Sequence, residues 1–316
     1  MSNRVMPSVL FSLAISCAAV AGWQPPPGHT QIAIWPDRAP GKALHSAEES
    51  GVVVDGAGQK KLVGGRPWVY VGKVSKPTIT VYSPKGKDTH AAVVVFPGGG
   101  YNILAIDLEG TEACDWLTSK GITCVLLKYR VPCQKTGPYR NCRAALQDAQ
   151  RAMGLVRFHA AEWHIDPHRI GVLGFSAGGH MVAAISTHFD KRLYPMIDAA
   201  DKESCRPDFG VALYPGHLAV PERNFALNPD IRVTSRTSPT FLVQAEDDPV
   251  DPVENSLVYY AALKKAGVPA EMHVFVNGGH AFGLRRTDSP ITRWPQLVES
   301  WLGAIGVIPR SSTPLN

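Results

Sequence analysis

Four short stretches of this chain carry residue types that can do chemistry together. Gly174-Phe175-Ser176-Ala177-Gly178 closes an apolar run, Arg169 to Phe175, and opens an apolar helical pattern, Ser176 to Thr187. A serine between two glycines at a strand-to-helix turn is a nucleophile elbow. The sharp turn lifts the hydroxyl above the sheet, the glycines leave room for the backbones that cross there, and the helix start aims unpaired N–H groups at the same place. A serine nucleophile needs a base, and the base needs an orienting acid. His280, in Asn277-Gly278-Gly279-His280 after the apolar run Glu271 to Val276, supplies the base, and its two glycines let the loop curl back toward Ser176.

The acid lies in or just after Glu246-Asp247-Asp248, which follows the apolar run Thr240 to Ala245, and Asp247, Asp248 and Asp251 compete for the role. Asp251 has a structural alternative, because Asp251-Pro252-Val253-Glu254 reads as a helix N-cap, proline at N1 and glutamate at N3. The fourth stretch is Pro97-Gly98-Gly99-Gly100-Tyr101, after Ala91 to Phe96. Three glycines behind a buried strand leave backbone N–H groups bare for a developing oxyanion. The expected donors are Gly99, Gly100 and Ala177, with Tyr101 at the substrate, lining the pocket or covering it. His180, one helical turn beyond the serine, reads as a packed residue behind the site. Asp107 and Glu109 could reach an alcohol group, but Glu109 near a helix start also complements the helix dipole.

Positioning these groups takes an alternation of strands and helices. Apolar runs at Thr78–Tyr82, Ala91–Phe96, Thr123–Tyr129, Arg169–Phe175, Phe209–Tyr214, Thr240–Ala245 and Glu271–Val276 read as strands. Helical patterns at Glu109–Lys120, Cys142–Ala161, Ser176–Thr187, Val253–Ala266 and Ile291–Leu302 fall between and after them. That order implies βαβ units and a mostly parallel sheet, whose strand ends collect the polar clusters. The runs around Val69 and Thr78 lack a helix between them and are expected to pair antiparallel at one edge. Residues 22–66, rich in Pro, Gly and charge, read as an extended arm with a short strand at Gln31–Trp35. The aperiodic stretch Pro215 to Ser238 is expected to cover one end of the sheet. It carries Glu222, Arg223, Asn224, Asn228, Asp230, Arg232 and Arg236, so a cover of this kind favours short acyl chains.

Composition sets the class. Of 316 residues, 45% are hydrophobic and 19% charged, enough apolar material for a large core and unlike a disordered, collagenous or coiled-coil chain. The net charge of +5 is scattered, with no block of five like charges, which speaks against nucleic-acid binding. Arg4 precedes an apolar run from Val5 to Val20 and then Ala19-Val20-Ala21, the pattern of a cleaved secretory signal over residues 1–21. No later stretch is long and apolar enough to span a membrane. Lipid anchoring through Cys17 is disfavoured, because Ala14 stands where a larger aliphatic residue is usual. The expected location is secreted or periplasmic.

Export would leave Cys114, Cys124, Cys133, Cys142 and Cys205. Cys133 and Cys142 flank Gly137-Pro138 and are the pair expected to bond. Cys124, in the run Thr123 to Leu127, reads as a small buried hydrophobe. There is no CxxC and no zinc-type spacing, so no metal and no other cofactor is expected.

Over residues 68–305 the chain resembles the secreted bacterial α/β-hydrolases grouped with acetyl xylan esterases and small carbohydrate esterases. The stretches that carry the resemblance are Val93–Leu127 with Phe96-Pro97-Gly98-Gly99-Gly100-Tyr101, then Gly171–His180, Val243–Asn255 and Gly278-Gly279-His280. It implies an α/β-hydrolase fold with helices on both sheet faces; with no internal repeat or linker inside 68–305, the chain reads as one domain over 22–316. It also implies a Ser-His-Asp hydrolase of short acyl esters, often acetyl groups on plant polysaccharide. The family pattern sets its triad aspartate two residues before a valine, which selects Asp248 ahead of Val250 and leaves Asp247 the alternative. Proline stands where the family's oxyanion loop commonly has histidine. Two other readings remain open: a peptidase of the prolyl oligopeptidase type, and a binding protein on a hydrolase scaffold. Oligomeric state is not legible.

Overall fold

The computed structural model describes residues 22–41, 49–54, 62–133 and 142–310. The expected signal over 1–21, with Cys17, and the Gly137-Pro138 loop lie outside the described residues.

The chain runs β1 (Gln31–Ala33), β2 (Ser50–Val54), β3 (Trp68–Gly72), β4 (Thr78–Tyr82), β5 (Ala92–Phe96), β6 (Ile103–Leu104), α1 (Glu112–Ser119), β7 (Thr123–Lys128) and α2 (Arg143–Phe158). It continues through β8 (Ile170–Phe175), α3 (Ala177–Thr187), β9 (Gly210–Leu213), β10 (Ala219–Val220), β11 (Ala226–Leu227), β12 (Thr240–Ala245), α4 (Glu254–Lys265), β13 (Ala270–Phe275) and α5 (Trp294–Ala304). The main sheet has eight strands in the order β1-β4-β7-β5-β8-β9-β12-β13. From β7 to β13 neighbouring strands are parallel, while β4 lies antiparallel to β7 and to β1. This is an α/β-hydrolase sheet with an antiparallel edge near the N-terminus.

The central strands β5, β7, β8, β9 and β12 are buried along their whole length, as strands covered on both faces must be. Alternation along β8 displays the two faces. Phe175 meets Trp294 of α5, with ring centroids 6.1 Å apart, while a side chain on the preceding Gly174 would strike the Gly178 carbonyl of α3. On the α5 face Trp116 of α1 donates to Glu299 at 3.0 Å and packs edge-on to Trp294. On the other face α2 packs against α3.

Three expectations about the elements are corrected or refined. The strands at Val69 and Thr78 do not pair with each other. β3 joins β2 and β6 in a separate three-stranded antiparallel sheet, and only β4 reaches the main sheet. The short strand expected at Gln31–Trp35 is the edge strand β1, and the arm over 22–66 adds a strand the sequence did not suggest, β2. Buried charge fixes it in place. Trp35 Nε1 donates to Asp148 of α2 at 2.8 Å, Arg130 pairs with the same carboxylate at 2.9 Å, and Arg151 Nε donates to the Ile34 carbonyl at 2.8 Å. Finally, the long segment after Pro215 meets the site through Gly216 and His217 at its start, while the rest lies elsewhere. Its hairpin, β10 and β11, packs on α4, where Asn255 Oδ1 accepts the Leu218 and Ala219 N–H groups at 2.8 and 2.9 Å.

The cysteines are also corrected. Cys124 is bonded to Cys114, because Gly121 turns the chain from α1 straight back into β7 and sets the two Cα atoms 5.1 Å apart. Cys133 and Cys142, expected to bond, are buried free thiols that touch each other, and the hydrogen bond with Cys133, together with burial, pushes the Cys142 thiol well up.

Asp148→Ala strips Arg130 of a partner in a site where the carboxylate is fully buried. Breaking a buried pair from one side typically costs about 3–5 kcal/mol, so urea unfolding should move by that amount. A loss below about 1 kcal/mol would mean that this pair does not hold the arm.

Candidate active site

The elbow forms because β8 ends on Phe175 and α3 begins on Ala177, leaving one residue for the reversal. Ser176 takes φ 52° and ψ −117°, a region costing a non-glycine residue roughly 1–3 kcal/mol. The two flanking glycines are required by contact. A Cβ on Gly174 would lie 2.1 Å from the Gly178 carbonyl oxygen, and one on Gly178 would lie 2.0 Å from that of Phe96.

Above this turn the predicted groups meet. His280 Nε2 lies 3.0 Å from Ser176 Oγ, and His280 Nδ1 donates to Asp248 Oδ2 at 2.7 Å. Asp248 is held in turn by the N–H groups of Val250 and Asp251, at 2.9 and 3.0 Å on Oδ1, and by Gln244 Nε2 at 3.1 Å on Oδ2. Asp247 does something else. Its Oδ1 accepts the Gly278 and Gly279 N–H groups, both at 2.8 Å, and so shapes the loop that carries His280. Burial by itself lowers the His280 imidazole. The hydrogen bond and charge of Asp248, with the charges of Asp251 and Glu109, outweigh it and raise His280 above its ordinary value.

The glycine loop is built by a residue whose role the sequence did not reveal. Glu109, fully buried in a π-helical turn (Asp107–Thr111) ahead of α1, accepts the Gly98 N–H at 2.7 Å and the Tyr214 hydroxyl at 2.9 Å. Burial pushes its carboxyl up, against those hydrogen bonds. The helix expected from Glu109 to Lys120 is present, opening as this π-helical turn and passing into α1 at Glu112, and Glu109 in its first turn also clamps the loop. With the Gly98 N–H taken, Gly99 and Gly100 are the loop residues that line the cavity beside Ser176, and Ala177 adjoins the serine at the first turn of α3. Asp107 is likewise occupied, accepting the Val69 and Leu108 N–H groups.

Two assignments change. Tyr101 is buried behind the loop, its hydroxyl 2.7 Å from His180 Nδ1 and its ring stacked toward His217, and it is not among the cavity's lining residues. It supports the site rather than the substrate. His180 is the packed residue expected, and burial lowers its imidazole well below the usual value. Asp251 does not cap α4, whose N-cap is Val253 without a side-chain bond. Its carboxylate instead enters the cavity, Oδ2 lying 3.2 Å from Ser176 Oγ and 3.7 Å from His280 Nε2.

The cavity, about 410 Å³, is walled by Val63, Trp68, Ile103 and Leu108 opposite Ser176 and His280. A neighbouring cleft of about 700 Å³ shares Trp68 and His280 and extends past Tyr70 and Arg285. The wall over the site thus comes from the N-terminal antiparallel sheet. Of the segment 215–238, His217 lines the cavity, its carbonyl held by Asn228 Nδ2 at 2.9 Å, and Gly216 lies against Asp251. Arg285 ties wall to site, pairing with Glu112 at 2.7 Å and donating to the carbonyls of Val63 and Arg66 at 3.1 and 2.8 Å. Among the described residues no cluster of His, Cys, Asp or Glu is arranged to hold a metal ion, and no helix is long and apolar enough to cross a membrane.

The fold and these contacts define an α/β hydrolase, and the chain belongs to that family: the α/β-hydrolase fold model matches residues 93–284. It is 30% identical over 247 residues to an acetylxylan esterase of Xylanibacter ruminicola, covering 74% of this chain and 49% of that protein. It is 28% identical over 244 residues to an arylesterase of Saccharolobus solfataricus, covering 68% and 76%. The crystal structure of an acetyl ester-xyloside bifunctional hydrolase from Caldicellulosiruptor lactoaceticus superposes with a TM-score of 0.68 at 34% identity, covering 88% of this chain and 97% of that one. The chain spans about half the length of the acetylxylan esterase it matches.

Two outcomes are expected of this geometry. Asp248→Asn removes the acceptor that fixes the His280 tautomer and should lower kcat by about 10⁴-fold. Asp247→Asn keeps an oxygen acceptor for the loop N–H groups and should cost far less; the reverse ranking would reassign the acid. Because a base must be unprotonated, kcat/KM should fall as pH drops through a value above that of an ordinary imidazole, and Asp251→Asn, by removing one of the charges that raise it, should shift that limb to lower pH.

Proposed function

We propose that the chain is an exported serine carboxylester hydrolase acting on short acyl esters, in particular acetyl groups on carbohydrate. The observation that carries this reading is the unbroken line from Ser176 Oγ through His280 to Asp248, at 3.0 and 2.7 Å, beside the glycine loop. Ser176 Oγ attacks the ester carbonyl carbon while His280 Nε2 takes its proton. Asp248 holds the imidazole and stabilises the imidazolium. The N–H groups of Gly99, Gly100 and Ala177 stabilise the oxyanion. Collapse breaks the bond to the alcohol oxygen, which leaves with the proton from His280. Water then attacks the acyl-enzyme as His280 takes its proton, and return of that proton to Ser176 Oγ frees the acid. No step calls for a cofactor. Export rests on the apolar run Val5 to Val20.

The preference for short acyl groups rests on the cavity, since the polar segment expected to cover the site packs on α4. The cavity beside Ser176 is walled largely by apolar side chains, Val63, Trp68, Ile103, Ala105 and Leu108, and it is its volume of about 410 Å³ that limits the acyl group held there. Each methylene gains only about 0.8 kcal/mol against such a wall. The carbohydrate reading draws on the acetylxylan esterase and the acetyl ester-xyloside hydrolase that the chain resembles, and on Trp68 and Tyr70 in the adjoining cleft, which offer aromatic faces to a sugar ring.

Ser176→Ala should lower kcat on p-nitrophenyl acetate by on the order of 10⁶-fold without loss of fold. On the unaltered protein, kcat/KM should fall from p-nitrophenyl acetate through butyrate to octanoate, with acetate released from acetylated xylan. Rates that climb from acetate to octanoate would make the protein a lipase-like enzyme instead, and activity within tenfold in Ser176→Ala would remove the nucleophile assignment.

A further inference from the structure

Asp251 puts a second carboxylate on the reacting atoms, and the mechanism above gives it no task. It cannot replace Asp248, because it faces Nε2 rather than Nδ1 of His280, at 3.7 Å. Its placement is nonetheless enforced. The Asp251 N–H is donated to Asp248 Oδ1 at 3.0 Å and its carbonyl accepts Gln244 Nε2 at 2.9 Å, so the network that fixes the triad acid also fixes the Asp251 backbone. Gln244 is itself held by the Ser256 hydroxyl at 2.9 Å. Across the cavity the chain makes room for the carboxylate, since a Cβ on Gly216 would fall 2.4 Å from Asp251 Oδ1.

We propose that Asp251 is a specificity-determining residue, accepting a hydrogen bond from a hydroxyl vicinal to the ester on the alcohol part of a polyhydroxylated substrate. The proposal rests on the esterase reading and deepens it. Two features of the geometry lead to it. First, His280 Nε2 delivers its proton to the departing alcohol oxygen, so a group 3.7 Å from that nitrogen stands beside the atoms next to that oxygen. Second, the donor within reach of Asp251 at rest is the Ser176 hydroxyl, 3.2 Å away, whose single hydrogen His280 Nε2 at 3.0 Å also draws on. Attack on the ester takes that hydrogen away as Ser176 Oγ becomes an ester oxygen. The carboxylate, with only 14% of its side chain exposed, then needs a new donor. A hydroxyl on the carbon next to the ester supplies it at the moment of transfer, whereas a plain alkyl alcohol leaves the carboxylate facing C–H. Sites built to bond a hydroxyl discriminate strongly against analogues that lack it.

The test pairs the residue with the hydroxyl. Methyl 2-O-acetyl-xyloside and its 3-deoxy analogue differ only in the vicinal hydroxyl, so the ratio of their kcat/KM values isolates its effect, and protonation of His280 cancels. The unaltered enzyme should favour the hydroxylated ester at least tenfold. Asp251→Val should lower that ratio at least fivefold, and Asp251→Asn, which keeps an acceptor of the same shape without the charge, should fall between. An unaltered enzyme with a smaller preference, or a preference that survives in Asp251→Val, overturns the proposal whatever the absolute rates. Should Asp251→Val not fold, Asp251→Asn decides by the same ratio, and an unchanged value counts against it. Hydrolysis of p-nitrophenyl acetate separates the two levels. If it proceeds and depends on Ser176 while the xyloside pair shows no hydroxyl effect, the specificity proposal fails and the esterase reading stands. If it does not proceed, both fail.

Discussion

Ser176 is held in a backbone conformation that it would not adopt alone, and the site depends on whatever holds it there. The restraint is the parallel sheet. β8 is flanked by β5 and β9, its last residue is pinned through Phe175 against α5, and α3 is pressed so closely over Gly174 that backbone meets backbone. The Ser176 N–H is donated to the Leu213 carbonyl of β9 at 2.9 Å, which ties the turn to the neighbouring strand. Strain of one to a few kcal/mol is sustained because so many packed atoms would have to move to relieve it.

Around that fixed serine, four carboxylates within a small volume perform four different tasks, and hydrogen bonding sorts them. Asp248 takes the imidazole, Asp247 takes the N–H groups of the histidine loop, Glu109 takes the glycine loop, and Asp251 faces the cavity. Like charges this close would repel if each were not separately satisfied, and the buried ones show that cost. Burial lifts the carboxyls of Glu109 and Asp251 above the usual range. The same negative surroundings raise His280 in spite of its own burial, which favours its protonated form.

The N-terminal arm is the second structural condition. Its strand β1 closes one edge of the main sheet, and Trp35 is locked to α2 through Asp148. The turn over Val63–Arg66 is carried to the mouth of the site by Arg285, whose buried guanidinium joins that turn, Glu112 at the start of α1 and the chain just past His280. The wall of the cleft and the loop of the base are therefore one hydrogen-bonded unit, although they are far apart in sequence.

The elements and the elbow were legible in the residues because their causes are local. Apolar runs give the buried strands, and Gly174-Phe175-Ser176-Ala177-Gly178 between a strand and a helix dictates a sharp turn. His280 and an acid among Asp247, Asp248 and Asp251 were legible from their order after two strand ends. The division of labour among those aspartates was not, because it turns on which N–H groups and which imidazole nitrogen each one meets across the folded chain. Asp251 has the sequence of a helix cap and the surroundings of a cavity residue, and only tertiary packing, with Gly216 making room, decides for the cavity. Glu109 stands at a helix start as its sequence suggests, and becomes a clamp on the glycine loop only because β5 brings Gly98 beside it. The second strand of the arm, β2, and the Cys114–Cys124 bond stayed hidden for the same reason. Sequence determines what each segment can become, and contacts between distant segments decide which polar group finds which partner, because a buried charge or N–H is satisfied only by what the whole fold brings to it.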